Sequence, residues 1–135
     1  MRSYAGVDGR LVLLGLFVLI AVFVARDMEP APSAAVVARE RAVDVVLVEV
    51  DRTQQCFRRW RHRYAETVPS LQFAGGHFMR TALRHELDID LTAAGDRYVQ
   101  RITGDGVDAV LERRGAELVR LEVGDRPAPR LAAGC

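Results

Sequence analysis

The sequence contains no lysine and only two cysteines. All nineteen basic side chains among its 135 residues are therefore arginines, and eighteen acidic residues balance them. A net charge of +1 excludes a general electrostatic attraction to polyanions. Without lysine there can be no P-loop, because that phosphate-binding motif requires a Lys followed by Ser or Thr. The glycine-rich stretch 103–106 is accordingly interpreted as a turn.

Signatures of catalysis and of metal binding are missing as well. The three histidines, His62, His77 and His85, do not form the HExxH pattern of zinc proteases. No serine lies in a G-x-S-x-G frame, and no Cys–His spacing matches a known nucleophile. The acidic stretch after His85 is not an EF-hand, because Thr92 and Ala93 stand where Asp or Asn and Gly are needed. We therefore expect no enzymatic activity, no cofactor and no metal ion.

The longest apolar run extends from Leu11 to Ala25 and is closed by Arg10 and Arg26. Its fifteen residues carry no polar side chain, and a helix of this length rises roughly 22 Å. A bilayer core is about 30 Å thick, so the run is short for a span, although both arginines can reach outward to the interface. We predict a transmembrane anchor over residues 11–26. Its membrane-facing residues would be Leu11, Leu14, Phe17, Ile20 and Phe23.

A cleavable signal peptide and a buried helix are the alternatives to this anchor. Cleavage needs small residues at −3 and −1, and a cut after Ala25 would place the bulky Phe23 at −3. A chain of this size has too little core to bury a helix that is apolar all round. The positive-inside rule makes residues 1–10 a cytoplasmic tail and places residues 27–135 outside the cytoplasmic (inner) membrane. The lipid bilayer is then the first predicted partner.

The rest of the chain is predicted to form a linker and one small domain. Residues 27–35 contain Pro30 and Pro32, which interrupt helices, and residues 36–135 have the length of a single domain. Apolar positions then recur every three or four residues, which predicts a long amphipathic helix over 34–66 that begins after Ser33 and is ended by Pro69. The stripe contains Val43, Val46, Val50, Thr53, Phe57, Trp60 and Tyr64.

The pattern changes towards the C-terminus. After a break at Gly75-Gly76, a short helix over 77–86 is predicted to bury Phe78, Ala82 and Leu83. From Leu87 onward the apolar residues alternate with polar ones, which indicates strands, and glycine-containing turns separate them. The predicted strands are 87–92, 97–102, 107–112 and 117–123. Short turns between consecutive strands predict an antiparallel meander of about four strands. The fold class is therefore α+β, with the long helix packed on the meander.

Two further features are candidate sites. Cys56 and Cys135 are a candidate disulfide, since paired cysteines outside the cytoplasm tend to be oxidised; the alternative is one buried and one free thiol.

The densest charge lies in residues 58–63, where arginines alternate with aromatic residues. This candidate face for an anionic partner consists of Arg58, Arg59, Arg61 and Arg63. It could also be a solvated helix face, with Phe57, Trp60 and Tyr64 packed on the sheet.

The order of elements resembles that of type IV pilin-like or pseudopilin-like subunits. The apolar helix 11–25, the stretch CFRRWRHRYAETVPSL (56–71) and the strand series 96–121 carry the resemblance. The prepilin processing motif is absent, because counting five residues from Gly6 or Gly9 leads to a leucine rather than to glutamate. The resemblance implies a long helix on a small sheet and a place in a pilus or secretion apparatus.

The predicted function is that of a membrane-anchored, non-enzymatic structural or interaction protein that associates with other pilin-like subunits. The alternative is an anchored extracytoplasmic module that binds an anionic partner, such as DNA or lipid headgroups, through residues 58–63. Nucleic acid is the less favoured partner, because the chain has almost no net charge.

Overall fold

The computed structural model describes the backbone of residues 9–27 and 31–135 and the side chains of residues 9–22 and 31–135. The chain divides into two compact units, Met1–Pro32 and Ser33–Cys135, which we describe one at a time. The helices are α1 (Gly9–Asp27), α2 (Ala34–Arg61), α3 (Val68–Phe73) and α4 (Phe78–Arg84). The strands are β1 (Asp88–Ala94), β2 (Arg97–Gly104), β3 (Val107–Arg114) and β4 (Glu117–Glu122).

Helix α1 forms from the apolar run, but the predicted membrane anchor over residues 11–26 is wrong. In the described ranges, no helix is both long enough and apolar enough to cross a membrane. The physical reason is length, since fifteen apolar residues between two arginines rise roughly 22 Å and a span needs about 20 such residues. The predictions of a membrane helix in the fold class, of a single-pass signal-anchor protein and of a place in the cytoplasmic membrane are wrong for the same reason.

Parts of those predictions fall outside what is described. The predicted cytoplasmic tail overlaps residues 1–8, and the predicted linker includes residues 28–30; neither segment is described. The side chain of Phe23 also lies outside the described set.

Helix α2 begins where the sequence predicts and ends earlier. The Ser33 side chain caps its N-terminus by accepting a hydrogen bond from the Val36 N–H at 3.3 Å. At the other end His62 adopts a left-handed conformation with φ of 58°, and its N–H donates to the Arg58 carbonyl. The helix therefore stops at Arg61, five residues before the predicted end. Pro69 does not end it but lies in the first turn of α3, where its missing N–H is harmless.

The sheet is the predicted antiparallel meander, with strand order β1-β2-β3-β4. Each connection between consecutive strands is a two-residue loop, and one of these residues is a glycine with positive φ, such as Gly106 at 75°. The apolar stripe of α2 lies against the inner face of the sheet. The buried apolar residues at this interface are Val43, Val46, Leu47 and Val50 from α2 and Tyr98, Ile102, Ala109 and Leu111 from the strands.

The short helices complete the core and correct one further expectation. Helix α4 buries Phe78 and Ala82 as predicted, whereas Leu83 is 71% exposed and its predicted burial is wrong. A helix of two turns presents only one narrow face, and Leu83 lies a further 100° around from Ala82. The break before α4 depends on Gly76, because a Cβ there would come within 2.5 Å of the Phe78 ring.

A buried ion pair joins α2 to the sheet, and no sequence pattern singled it out. The Asp51 carboxylate on α2 is fully buried and accepts hydrogen bonds from the Arg113 guanidinium at 2.6 and 2.8 Å. The Tyr98 hydroxyl donates to the same carboxylate, and the Gln55 amide donates to it at 2.8 Å. Arg113 also donates to the Ala116 carbonyl at 2.9 Å. Four donors therefore compensate the buried carboxylate, as a charge removed from water requires.

Removing this carboxylate should destabilise the domain strongly. In Asp51→Ala the Arg113 charge stays buried without its partner, and breaking a buried pair in this way costs about 3–5 kcal/mol. We expect a loss of that size in the free energy of unfolding, measured by urea denaturation. The matched control is Asp108→Ala, which removes a carboxylate bonded to Arg101 at 3.0 and 2.7 Å on the exposed face of the sheet. Equal losses in the two variants would contradict the role of Asp51.

Stability at alkaline pH should depend on Tyr98. Burial raises the pKa of Tyr98, and the adjacent Asp51 carboxylate raises it further. A group whose pKa is raised by folding stabilises the native state fully below its unfolded pKa, which is about 10 for tyrosine. Above that pH only the unfolded chain loses the proton, so the free energy of unfolding should fall by about 1.4 kcal/mol per pH unit from about pH 10 to 12. Urea denaturation in this pH range should show that the free energy of unfolding falls less steeply with pH in Tyr98→Phe than in the wild-type chain. An identical pH dependence in the two chains would exclude the effect.

Candidate functional site

The C-terminal tail is fastened along α2 and ends in a disulfide. Cys56 and Cys135, the two cysteines of the chain, form this bond, and their Cα atoms lie 4.8 Å apart. Upstream, Arg126 donates to both carboxylate oxygens of Asp44 at 3.0 and 3.1 Å. Gln55 holds the last residues, because its side chain accepts from the Gly134 N–H at 3.1 Å. The tail therefore runs alongside α2 and reaches its final two turns.

The loop after α2 is held just as firmly. The Gln54 side chain is buried and bonds to the Ala65 backbone twice, donating to its carbonyl at 2.9 Å and accepting from its N–H at 2.8 Å. Tyr64 is buried, with its ring 4.5 Å from that of Tyr98 and its hydroxyl donating to the Gly115 carbonyl. These contacts turn the chain sharply and direct it into α3 beside the end of α2.

Between the end of α2, the turn of α3 and the disulfide lies a cleft of about 610 Å³. Its most prominent walls are two aromatic side chains that are almost fully exposed, Trp60 at 81% and Phe73 at 93%. Large aromatic side chains are mostly buried in folded proteins, so two exposed ones that line the same cleft mark a candidate binding surface. We call it the aromatic cleft; its lining residues are Cys56, Phe57, Trp60, Arg61, Ser70, Phe73, Ala74, Gly75 and Cys135.

The aromatic cleft corrects one sequence expectation. Phe57, Trp60 and Tyr64 were expected to share one helical face on the sheet; Tyr64 is buried and Phe57 partly so, but the expectation is wrong for Trp60. Because α2 stops at Arg61, Tyr64 reaches the core from the loop rather than from the helix. Trp60, in the last turn, is left without a covering element.

The four predicted arginines do not lie on one face. Arg58 bonds to Asp96 and lies over the Tyr64 ring, and the hydrogen bond to Asp96 raises the pKa of Arg58. Arg61 lines the aromatic cleft. Arg59 and Arg63 are exposed. Positions 59 and 61 of a helix are about 200° apart, so α2 directs these two guanidinium groups to opposite sides. The structure thus brings one of the four arginines to the aromatic cleft.

Sequence reasoning did not find Phe73, although a signal was available. Leu71 is buried and Phe73 follows two residues later in the same short helix. A separation of about 200° prevents both side chains from facing the core. Pro69 is predicted to end the long helix, but a proline is equally typical of the first turn of a new helix. A short helix beginning there, with Leu71 in the core, predicts that Phe73 is exposed.

The second exposed apolar surface belongs to the other unit and consists of α1. The predicted anchor residues with described side chains are all more than half exposed: Leu11, Leu14, Phe17 and Ile20. The intervening valines and leucines up to Val22 are exposed to a similar degree, so the helix is apolar on every side. Contiguous exposed apolar surface of this kind marks an interaction site.

No arrangement for metal binding accompanies these surfaces within residues 9–27 and 31–135, where no three His, Cys, Asp or Glu residues are grouped. The buried Asp51 has its hydrogen-bonding capacity taken up by Arg113, Tyr98 and Gln55, so it has no free position for a substrate.

No family model, no curated protein and no solved structure matches the chain. The two exposed apolar surfaces are therefore the features from which a function can be inferred.

The disulfide should contribute substantially to stability. It closes a loop between residues separated by 79 positions, and the chain-entropy model gives such a cross-link about 4–5 kcal/mol. We expect Cys135→Ser to lower the free energy of unfolding by up to about that amount, measured by urea denaturation without reductant. Dithiothreitol should lower the midpoint of the wild-type chain and leave that of Cys56→Ser/Cys135→Ser unchanged. A reductant effect on the double variant would assign the loss to another cause.

Proposed function

We propose that this protein is a non-enzymatic structural and interaction protein, pilin-like in its layout, that assembles with other subunits through α1. The observation that carries the proposal is the apolar surface of α1, on which Leu11, Leu14 and Phe17 are 63–70% exposed. A helix that is apolar all round has to be covered by other apolar groups. Helices from further copies of the chain, or from similar subunits, provide such cover.

The second unit supports a structural role in a different way. It combines one long helix, a small antiparallel sheet and a disulfide-fastened tail, and it presents the aromatic cleft at one end. A long helix on a small sheet is what the resemblance to pilin-like subunits implies, and this agreement supports the proposal. A component of a pilus or of a secretion apparatus needs a stable domain with surfaces for neighbours, and the fastened tail and the aromatic cleft support such a role.

The alternative function, an anionic-partner module acting through residues 58–63, has less support. The Arg58 charge is already compensated by Asp96, and Arg59 and Arg61 leave α2 on opposite sides. Recognition of a phosphate backbone needs several cations in one track. The exposed Arg59 and Arg63 keep this function as a second candidate, and binding of DNA or of anionic vesicles that weakens with salt would favour it over assembly.

Charged substitutions on α1 test the assembly. We expect the wild-type chain to sediment as an oligomer at micromolar concentration and the Leu14→Glu/Phe17→Glu chain to sediment as a monomer. Burial of each such side chain is worth about 1.5–3 kcal/mol, so losing two weakens association by about two orders of magnitude or more.

The matched control is Val36→Glu/Val45→Glu, which places two carboxylates on exposed valines of α2 and should leave the oligomer intact. Sedimentation velocity distinguishes these states. A wild-type chain that stays monomeric at about 100 μM would refute assembly through α1, since burial of several such side chains predicts far tighter association.

A further inference from the structure

The aromatic cleft has the chemistry of a peptide-binding groove. Trp60 and Phe73 offer exposed ring faces, the disulfide and Ala74 add apolar surface, and Arg61 supplies one guanidinium. Aromatic-lined grooves of this type receive proline-containing segments, whose extended conformation is largely set before binding. A guanidinium beside the rings favours a segment that also carries carboxylates. The expected ligand is therefore an extended peptide with prolines and acidic residues.

The chain itself contains one segment of this composition. Residues 27–32 read Asp-Met-Glu-Pro-Ala-Pro, with two carboxylates and two prolines within six positions. A proline disfavours the helical conformation of the preceding residue, so Glu29 and Ala31 both prefer extended backbone. The charge of the segment is opposite to that of Arg61, the arginine that lines the aromatic cleft. The segment thus matches the aromatic cleft in charge, and its residues 29–32 match it in expected conformation, whereas Asp27 is the last residue of α1.

The segment cannot reach the aromatic cleft of its own chain. Helix α2 separates Ser33 from Trp60, and the 26 helical steps from Ala34 to Trp60 rise about 39 Å. Six fully extended residues before Ser33 span about 22 Å at most. Any contact between this segment and the aromatic cleft must therefore be made between two copies.

We propose that the aromatic cleft receives residues 27–32 of a second copy of this chain, with the prolines against Trp60 and Phe73 and a carboxylate beside Arg61. The contact joins two different surfaces, so it is heterologous and can be repeated from copy to copy in a ring or an open filament. The inference rests on the proposed assembly of copies and gives it a direction, because each subunit would present its segment to the next. Helix α1 would contribute affinity between subunits through apolar contacts, and the aromatic cleft would make the contact specific.

Trp60 allows a direct test, because it is the only tryptophan of the chain. The peptide Ac-Asp-Met-Glu-Pro-Ala-Pro-NH₂, a copy of residues 27–32, is titrated to millimolar concentration into the full chain carrying Leu14→Glu and Phe17→Glu. These substitutions remove association through α1, so peptide binding is measured independently of the proposed function. The fluorescence of Trp60 should change and saturate.

Four matched comparisons identify the contact. Phe73→Ala should weaken binding about tenfold, since an aromatic wall is lost; its side chain is 93% exposed, so the fold should be unaffected. Arg61→Ala should weaken it about two- to fivefold, as expected for an exposed ion pair. Arg59→Ala, an exposed arginine on the other side of the same turn, should leave it unchanged. The last comparison removes the charges from the peptide, with Asp27→Asn and Glu29→Gln. This neutral peptide should bind the unchanged aromatic cleft about as weakly as the acidic peptide binds the Arg61→Ala variant.

The outcomes separate the two proposals. Saturable binding with this order of variants supports the aromatic cleft as the receptor, whether or not the wild-type chain assembles through α1. Absence of a saturable fluorescence change, or equal effects of Arg61→Ala and Arg59→Ala, would overturn the inference even if wild-type assembly is observed. Saturable binding of an oligothymidylate without binding of the peptide would overturn it in favour of a nucleic-acid partner.

Discussion

The Asp51 carboxylate, buried between α2 and the sheet, is the group on which the arrangement of the domain depends. A charge in a low-dielectric interior is tolerated only with well-placed donors, and here they come from two strands and from the helix itself. Arg113 on β3 and Tyr98 on β2 stand opposite each other in the strand register. Rotating α2 by one residue would turn the carboxylate about 100° away from both. The network therefore sets the rotation of α2 on the sheet, which apolar packing alone specifies less sharply.

The rotation of α2 in turn positions the cleft end of the domain. The three residues 54–56 follow Asp51 within two turns, and each fastens a different segment of the chain. Gln54 holds the Ala65 backbone, Gln55 holds the C-terminal tail, and Cys56 is bonded to Cys135. The loop, the tail and the disulfide are thereby held at the end of α2, where Trp60, Arg61 and Phe73 line the aromatic cleft. The exposed aromatic residues thus stand on a rigid support, which is what a recognition surface requires.

The two units carry apolar surfaces of different character. The surface of α1 is uniformly aliphatic and aromatic, so it favours association without specifying a unique partner orientation. The aromatic cleft is small, concave and bordered by one positive charge, so it can discriminate between segments. A protein that assembles from copies of itself benefits from both, because broad apolar contact supplies affinity and a polar, shaped contact supplies register. This division supports the proposed assembly from copies of the chain.

The sequence by itself determined the body of α2, the four strands and the α+β class, but neither α3 nor the end of α2. The three- and four-residue spacing from Val43 to Phe57 predicts α2, and the alternation from Leu87 to Leu91 with glycine turns predicts the meander. These patterns are local, since each repeat is set by neighbours a few residues away. The apolar run of α1 was also recognised as a helix, but its predicted role as a membrane anchor was wrong, because composition suggested a span that its length does not support.

Only the tertiary structure decided which side chains form the polar core and the candidate site. Asp51 meets Arg113 across 62 residues, and Gln55 meets the tail across 79. The end of α2 depends on the left-handed turn at His62, which the contacts of Tyr64 and Ala65 with distant strands and with α2 hold in place. Exposure of Trp60 follows from that early end, whereas the separation of Arg59 and Arg61 follows from helix geometry alone. Pairings over such distances leave no periodic mark in the sequence, because periodicity reports which face of an element is apolar and not what lies opposite it.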